Sequence, residues 1–131
     1  MKRGIVMEQD NNFYRCATCG NIVHSLHNGG GRLICCGSQM VPLEAREGGM
    51  ASQNHLPVLK HEDGRLIVTI AEEAHPIEPF HHIEWIALVT PKRTTVRFLK
   101  EEDGNMAAFS DVRHGTVYSY CSIHQLWKKT F

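Results

Sequence analysis

IEWIALVT, residues 83–90, is apolar on both of its alternating faces. Ile83, Trp85 and Ala87 would share one side, Ile86 and Leu88 the other. A strand with this pattern is buried on both sides. Similar short runs lie on either side of it: HLPVLKH (55–61), GRLIVTI (64–70), TTVRFLK (94–100), NMAAFS (105–110), TVYSYC (116–121) and QLWKKT (125–130). RLIVTI and TTVRFLK are the most strand-like, NMAAFS the least. Turn signals separate the runs: EDG, HPIEP, PKR, EEDGN and RHG. Seven short strands at this spacing predict an antiparallel sandwich. The predicted core holds Trp85 and Trp127 with Val68, Ile70, Ile83, Ile86, Leu88, Val96, Phe98, Val117 and Tyr118. No long helix, repeat or low-complexity tract interrupts this mainly β pattern.

The chain has 131 residues, 42% of them apolar and 21% charged, as expected of a globular protein. Its 14 basic residues balance 14 acidic ones. With no Lys/Arg cluster, this argues against a nucleic-acid or membrane-surface partner. The start, MKRGIVMEQDNN, lacks an apolar stretch of signal-peptide length. No run approaches the roughly 20 apolar residues of a membrane span. The expectation is a cytoplasmic protein with reduced thiols.

Residues 1–50 follow a different logic. They carry four of the five cysteines, few large apolar side chains, and the glycine-rich turns HNGGGR (27–32) and REGGM (46–50). A piece this small needs a staple. Cys16-Ala-Thr-Cys19, fifteen residues, then Cys35-Cys36 has the spacing of a four-thiolate metal site. The second pair is adjacent, so the tetrahedron should be distorted, which iron tolerates. Two disulfides, or a purely structural zinc, are the alternatives. The expected boundary gives a metal-binding domain over 1–45 and the sandwich over 46–131.

Nine histidines are many for this length. HPIEPFHH (75–82) sets three of them on a segment in which Pro76 and Pro79 forbid a regular helix or central strand. His55 precedes a strand, His75 and His81 stand six apart, and Cys121 and His124 stand three apart. Four imidazoles and one thiolate leave one position open on a six-coordinate metal, and an open position permits reactivity. This donor set suits iron or copper. A thiolate opposite the vacancy would push electron density toward a bound oxygen species. Neighbours in an extended segment point to opposite faces, so at most one of His81 and His82 should ligate, and His81 is the expected one. His24, His27, His61 and His114 read as solvated. Cys121 has a plainer reading as a small buried hydrophobe.

YRCATCGNIV, GGGRLICCG, NHLPV, AHPIEPFHHIEWI, RFLK and YCSIHQLWK together resemble desulfoferrodoxin, the two-iron form of superoxide reductase, along nearly the whole chain. The resemblance implies a desulforedoxin-like domain whose Cys16, Cys19, Cys35 and Cys36 bind a first non-haem iron. It implies an immunoglobulin-like seven-stranded sandwich holding a second iron through His55, His75, His81 and His124, with Cys121 axial. It further implies a homodimer that reduces superoxide to hydrogen peroxide without releasing dioxygen, and re-reduction by a rubredoxin-type donor.

One departure stands out. The family usually reads Glu-Lys-His before the PV strand, where this chain has Gln53, Asn54 and His55. The family's glutamate closes onto oxidised iron, and its lysine supplies positive charge beside the open site. Both charges are missing here. An enzyme is the leading reading. An electron-transfer protein with weakened superoxide chemistry, and a zinc-ribbon interaction module, are the others.

Overall fold

The computed structural model describes residues 13–47, 56–70 and 82–131. They form two compact units that divide between Glu44 and Ala45. Among the described residues, all regular structure is strand apart from one 3-10 turn at Glu101–Asp103, and every strand pairing is antiparallel.

The first unit is built from two small sheets. Strands β1 (Phe13–Arg15), β2 (Ile22–His24) and β5 (Val41–Pro42) make one, in the order β2-β1-β5. Strands β3 (Ile34–Cys35) and β4 (Ser38–Gln39) make a hairpin. The buried apolar residues here are few: Phe13, Cys16, Met40 and Leu43. Among the described residues this is a small core, as the composition predicts.

The second unit is a seven-stranded sandwich. Strands β6 (Pro57–Glu62), β7 (Arg65–Ile70) and β10 (Met106–Ser110) form a three-stranded sheet with β7 central. Strands β8 (Ile83–Val89), β9 (Thr94–Phe98), β11 (Thr116–Cys121) and β12 (Gln125–Thr130) form a four-stranded sheet in the order β12-β11-β8-β9. Pro57 takes the first position of an edge strand, where its missing N–H costs no ladder bond.

The two inner faces meet in one core. Leu66, Val68 and Ile70 of β7 and Ala107 and Phe109 of β10 face Ile83, Ile86 and Leu88 of β8 and Val117 and Cys121 of β11. Phe109 thus anchors the strand that looked weakest in sequence.

The register of β8 against β11 explains its double apolar face. Val117 pairs with Leu88 and Ser119 with Ile86 on the inside, whereas Tyr118 pairs with Ala87 and Tyr120 with Trp85 on the outside. Trp85 and Tyr120 stack there with centroids 5.4 Å apart and planes 5° from parallel. Both are buried, as are Ala87 and Tyr118. The register then shifts so that Cys121 opposes Ile83, leaving Glu84 as the extra residue of a bulge. The bulge keeps both Ile83 and Cys121 on the core side.

Two expected core residues are misplaced. Phe98 is 75% exposed, and Val96 is only partly buried. Both lie on β9, the edge of the four-stranded sheet, with Phe98 opposite Trp85 on the outer face. Strand periodicity cannot tell an edge from a centre.

Trp85 is 7% exposed. Trp85→Ala should cost about 3–5 kcal/mol, since it removes a buried indole and its stacking partner's support. Chemical denaturation checks this; a loss below about 1 kcal/mol would place the indole outside the packed region.

Candidate metal centres

The four N-terminal cysteines converge. Their sulfurs all lie within 4.8 Å of one another, and the Cys19 and Cys35 sulfurs are 3.6 Å apart. Four sulfurs at about 2.3 Å from a central metal would be about 3.7 Å apart in a regular tetrahedron. The donor set therefore fits a four-thiolate metal. The five cysteines, all among the described residues, form no disulfide.

Two turns bring the sulfurs together. Between β1 and β2 the chain reverses at Cys16–Gly20: Gly20 N–H donates to Cys16 O at 2.9 Å and Cys16 N–H to Asn21 O at 2.8 Å. Gly20 has φ +81°, which spares any side-chain strain. The Cys19 N–H points at the Cys16 sulfur, 3.4 Å away. Between β3 and β4, Cys35 pairs with Ser38 across the two residues Cys36 and Gly37, with φ 53° and 77°. Positive φ at both central residues is the signature of a type I′ hairpin turn. This is how adjacent cysteines reach one point. In an extended pair their side chains would diverge; the left-handed conformation of Cys36 turns its side chain back toward that of Cys35.

Exposure and charge are uneven across the cluster. Cys16 is buried, Cys35 half-buried, and Cys19 and Cys36 exposed, so the cluster opens to solvent on the Cys19–Cys36 side. The Cys19 backbone N–H, helped by that of Thr18 and by the neighbouring thiols, lowers the Cys16 pKa to about 6 against the opposing effect of burial. Hydrogen bonding to Cys16 and Cys19 pushes Cys35 up to about 12. Cys36 is also raised, first by Cys19 and then by Cys16.

Of the second ligand set, Cys121 and His124 are described. Cys121 ends β11, fully buried, and His124 closes the three-residue turn before β12. The Cys121 sulfur and His124 Nδ1 are 3.6 Å apart. Bonds of about 2.3 Å to sulfur and 2.1 Å to nitrogen allow one metal to bind both at that spacing. Gln125, at φ 65°, is the left-handed residue that lets so short a turn rejoin the strand. His55, His75 and His81, and Gln53 and Asn54 beside them in sequence, lie outside the described residues.

Sequence reasoning passed over Ser122. Its Oγ accepts a hydrogen bond from His82 N–H at 3.0 Å, and its own N–H donates to His82 O at 2.9 Å. No sequence signal marks a serine that is defined by its partner across a sheet.

One histidine read as solvated is not, and a second is exposed but paired. His24 stacks on Phe13 at 4.6 Å, and its Nε2 is buried with no hydrogen-bond partner among the described residues. Burial lowers its pKa. His61 pairs through Nδ1 with Asp111 at 2.6 Å. Among the described residues, no helix is long and apolar enough to cross a membrane.

A small thiolate-knuckle unit joined to a seven-stranded sandwich with a Cys-x-x-His turn defines a two-unit metalloprotein. The chain belongs to the desulfoferrodoxin family. The family model described as "Desulfoferrodoxin, N-terminal domain" matches residues 8–43, and that described as "Desulfoferrodoxin" matches residues 47–130. A desulfoferrodoxin of Nitratidesulfovibrio vulgaris is 40% identical over 88% of this chain and 92% of its own. A desulfoferrodoxin homolog of Archaeoglobus fulgidus is 35% identical over 88% of this chain and 93% of its own. In fold, the chain is similar to the superoxide reductase from Treponema pallidum, with a TM-score of 0.74, 19% identity, and 89% and 95% of the two chains covered.

The thiol shifts give metal binding at the first cluster a steep pH dependence. Cys35 and Cys36 carry protons at neutral pH that a metal must displace. Lowering pH by one unit near neutrality should therefore weaken apparent affinity at least about 100-fold. Below about pH 6 Cys16 takes up a further proton and the slope steepens. Chelator competition at several pH values checks this; a change under about tenfold per unit contradicts it.

Proposed function

We propose that this chain is a superoxide reductase, and that the reaction takes place at a non-haem iron held by the sandwich. The observation that carries the reading is the close approach of a buried thiol and an imidazole at the Cys121–His124 turn, in a chain of the desulfoferrodoxin family. His55, His75 and His81 complete the donor set with His124, and Cys121 supplies the thiolate. The bound iron would supply one electron to superoxide, which with two protons becomes hydrogen peroxide.

The chain's own part is to fix the donors and keep one position clear. Pro76 and Pro79 set two φ angles between His75 and His81, which stiffens a ligand segment that tolerates little positional error. Burial of Cys121 in the sandwich core shields the thiolate from water. In the first unit, Cys16, Cys19, Cys35 and Cys36 hold the other iron, with the exposed Cys19–Cys36 side as its route for electron exchange. A rubredoxin-type protein is the proposed donor, and the working form is a homodimer in the cytoplasm, with domains 1–45 and 46–131.

Metal analysis and rapid mixing with superoxide test the reading: two irons per chain and fast consumption of superoxide are expected. His75→Ala and His81→Ala should each disrupt the second centre and leave the spectrum of the four-cysteine centre intact. If both variants keep full iron and activity, the ligand assignment fails.

The Gln53–Asn54 pair favours a second reading, an iron electron-transfer protein with slowed superoxide chemistry. A neutral amide is a poorer ligand than a carboxylate for a hard cation. Loss of a lysine at about 5 Å removes roughly 3 kcal/mol of attraction on superoxide at an effective dielectric near 20, less with screening. Gln53→Glu with Asn54→Lys should speed the reaction, sharpen its dependence on ionic strength and shift the ferric absorption band. An unchanged rate and spectrum would mean that these positions do not act on the open site.

A further inference from the structure

We propose that Ser122 is a positioning residue for the second metal centre, locking together the two segments that carry its ligands. This rests on the ligand assignment above. Ser122 sits between Cys121 and His124 in the turn, and His82 directly follows His81 in the chain. The two residues exchange a reciprocal pair of hydrogen bonds: His82 N–H to Ser122 Oγ at 3.0 Å, and Ser122 N–H to His82 O at 2.9 Å.

The location gives the pair its importance. β8 and β11 lose simple register at Tyr120/Cys121, where Cys121 comes to oppose Ile83. Regular pairing therefore ends just where both strands deliver ligands. The side chain of Ser122 takes over part of the ladder there, accepting the N–H of His82, the residue before β8. The Cys-x-x-His turn and the last residue of the histidine segment's sequence neighbourhood are thus joined by one hydroxyl. Groups that orient ligands without touching the metal commonly change metal affinity 10–100-fold when removed.

The test uses the full-length, iron-loaded protein with Ser122→Ala and Ser122→Thr. Three quantities are read: the thiolate-to-iron absorption band of the oxidised second centre, the rate at which that iron is lost to a chelator, and the thermal midpoint. Ser122→Ala should shift or broaden the band and speed iron loss about 10–100-fold, with the midpoint and the four-cysteine spectrum unchanged. Ser122→Thr keeps the hydroxyl and should behave as the parent. An unaltered band and loss rate in Ser122→Ala overturns the proposal, as does a fall in midpoint with both unaltered. Should Ser122→Ala fail to fold, hydrogen–deuterium exchange of the parent decides: slow exchange at the His82 amide supports the bond, rapid exchange overturns it. A parent protein without a second iron overturns the ligand assignment itself, and this inference with it.

Discussion

Donor atoms that bind one metal must converge on a point, and β-strands cannot make them do so. Strand side chains alternate between faces, so neighbours diverge. In this protein every described candidate ligand sits at a turn or at the strand end that borders one. Convergence depends on residues with positive φ at or beside those turns: Gly20, Cys36, Gly37 and Gln125. Two of these are neither glycine nor asparagine, and such conformations cost of order 1–2 kcal/mol per residue. At Cys36 the reversed backbone is what brings two adjacent thiols to one point. At Gln125 it allows a three-residue turn between Cys121 and its strand partner.

The two units meet this constraint by different means. The first buries Phe13, Cys16, Met40 and Leu43 and little else among the described residues. For a unit with so small a core, metal binding free energy is folding free energy. The second has a core drawn from four strands of two sheets, with a stacked Trp85–Tyr120 pair on the far side of one of them. Its packed framework does not depend on a metal in the same way.

The bulge between β8 and β11 connects packing to chemistry. Without the shift at Tyr120/Cys121, Cys121 would oppose Glu84 rather than Ile83. Cys121 shares the core face of Val117 and Ser119 by alternation, and the extra residue brings apolar Ile83 opposite it where the chain turns toward His124. The two readings of Cys121, buried hydrophobe and ligand, are therefore compatible: its side chain belongs to the core cluster and its sulfur reaches His124 Nδ1.

Much of this was legible in sequence, because it depends on local spacing. Seven alternating runs between turn signals specify seven strands, and Cys-x-x-Cys with a vicinal pair specifies four thiolates around one point. The apolar double face of IEWIALV marks a central strand, since such a run has no side left for water. What sequence left open depends on neighbours. Phe98 reads as core but lies on an edge strand, where its outer face meets solvent. NMAAFS reads as a weak strand, but its Phe109 is buried in the core opposite Leu66. His24 reads as solvated but stacks on Phe13 across a hairpin. Ser122 has no signature at all, because its partner, His82, is 40 residues away in sequence. Periodicity and spacing determine which residues a strand or turn presents; only tertiary pairing determines which strand is an edge and which distant backbone groups come within hydrogen-bond reach.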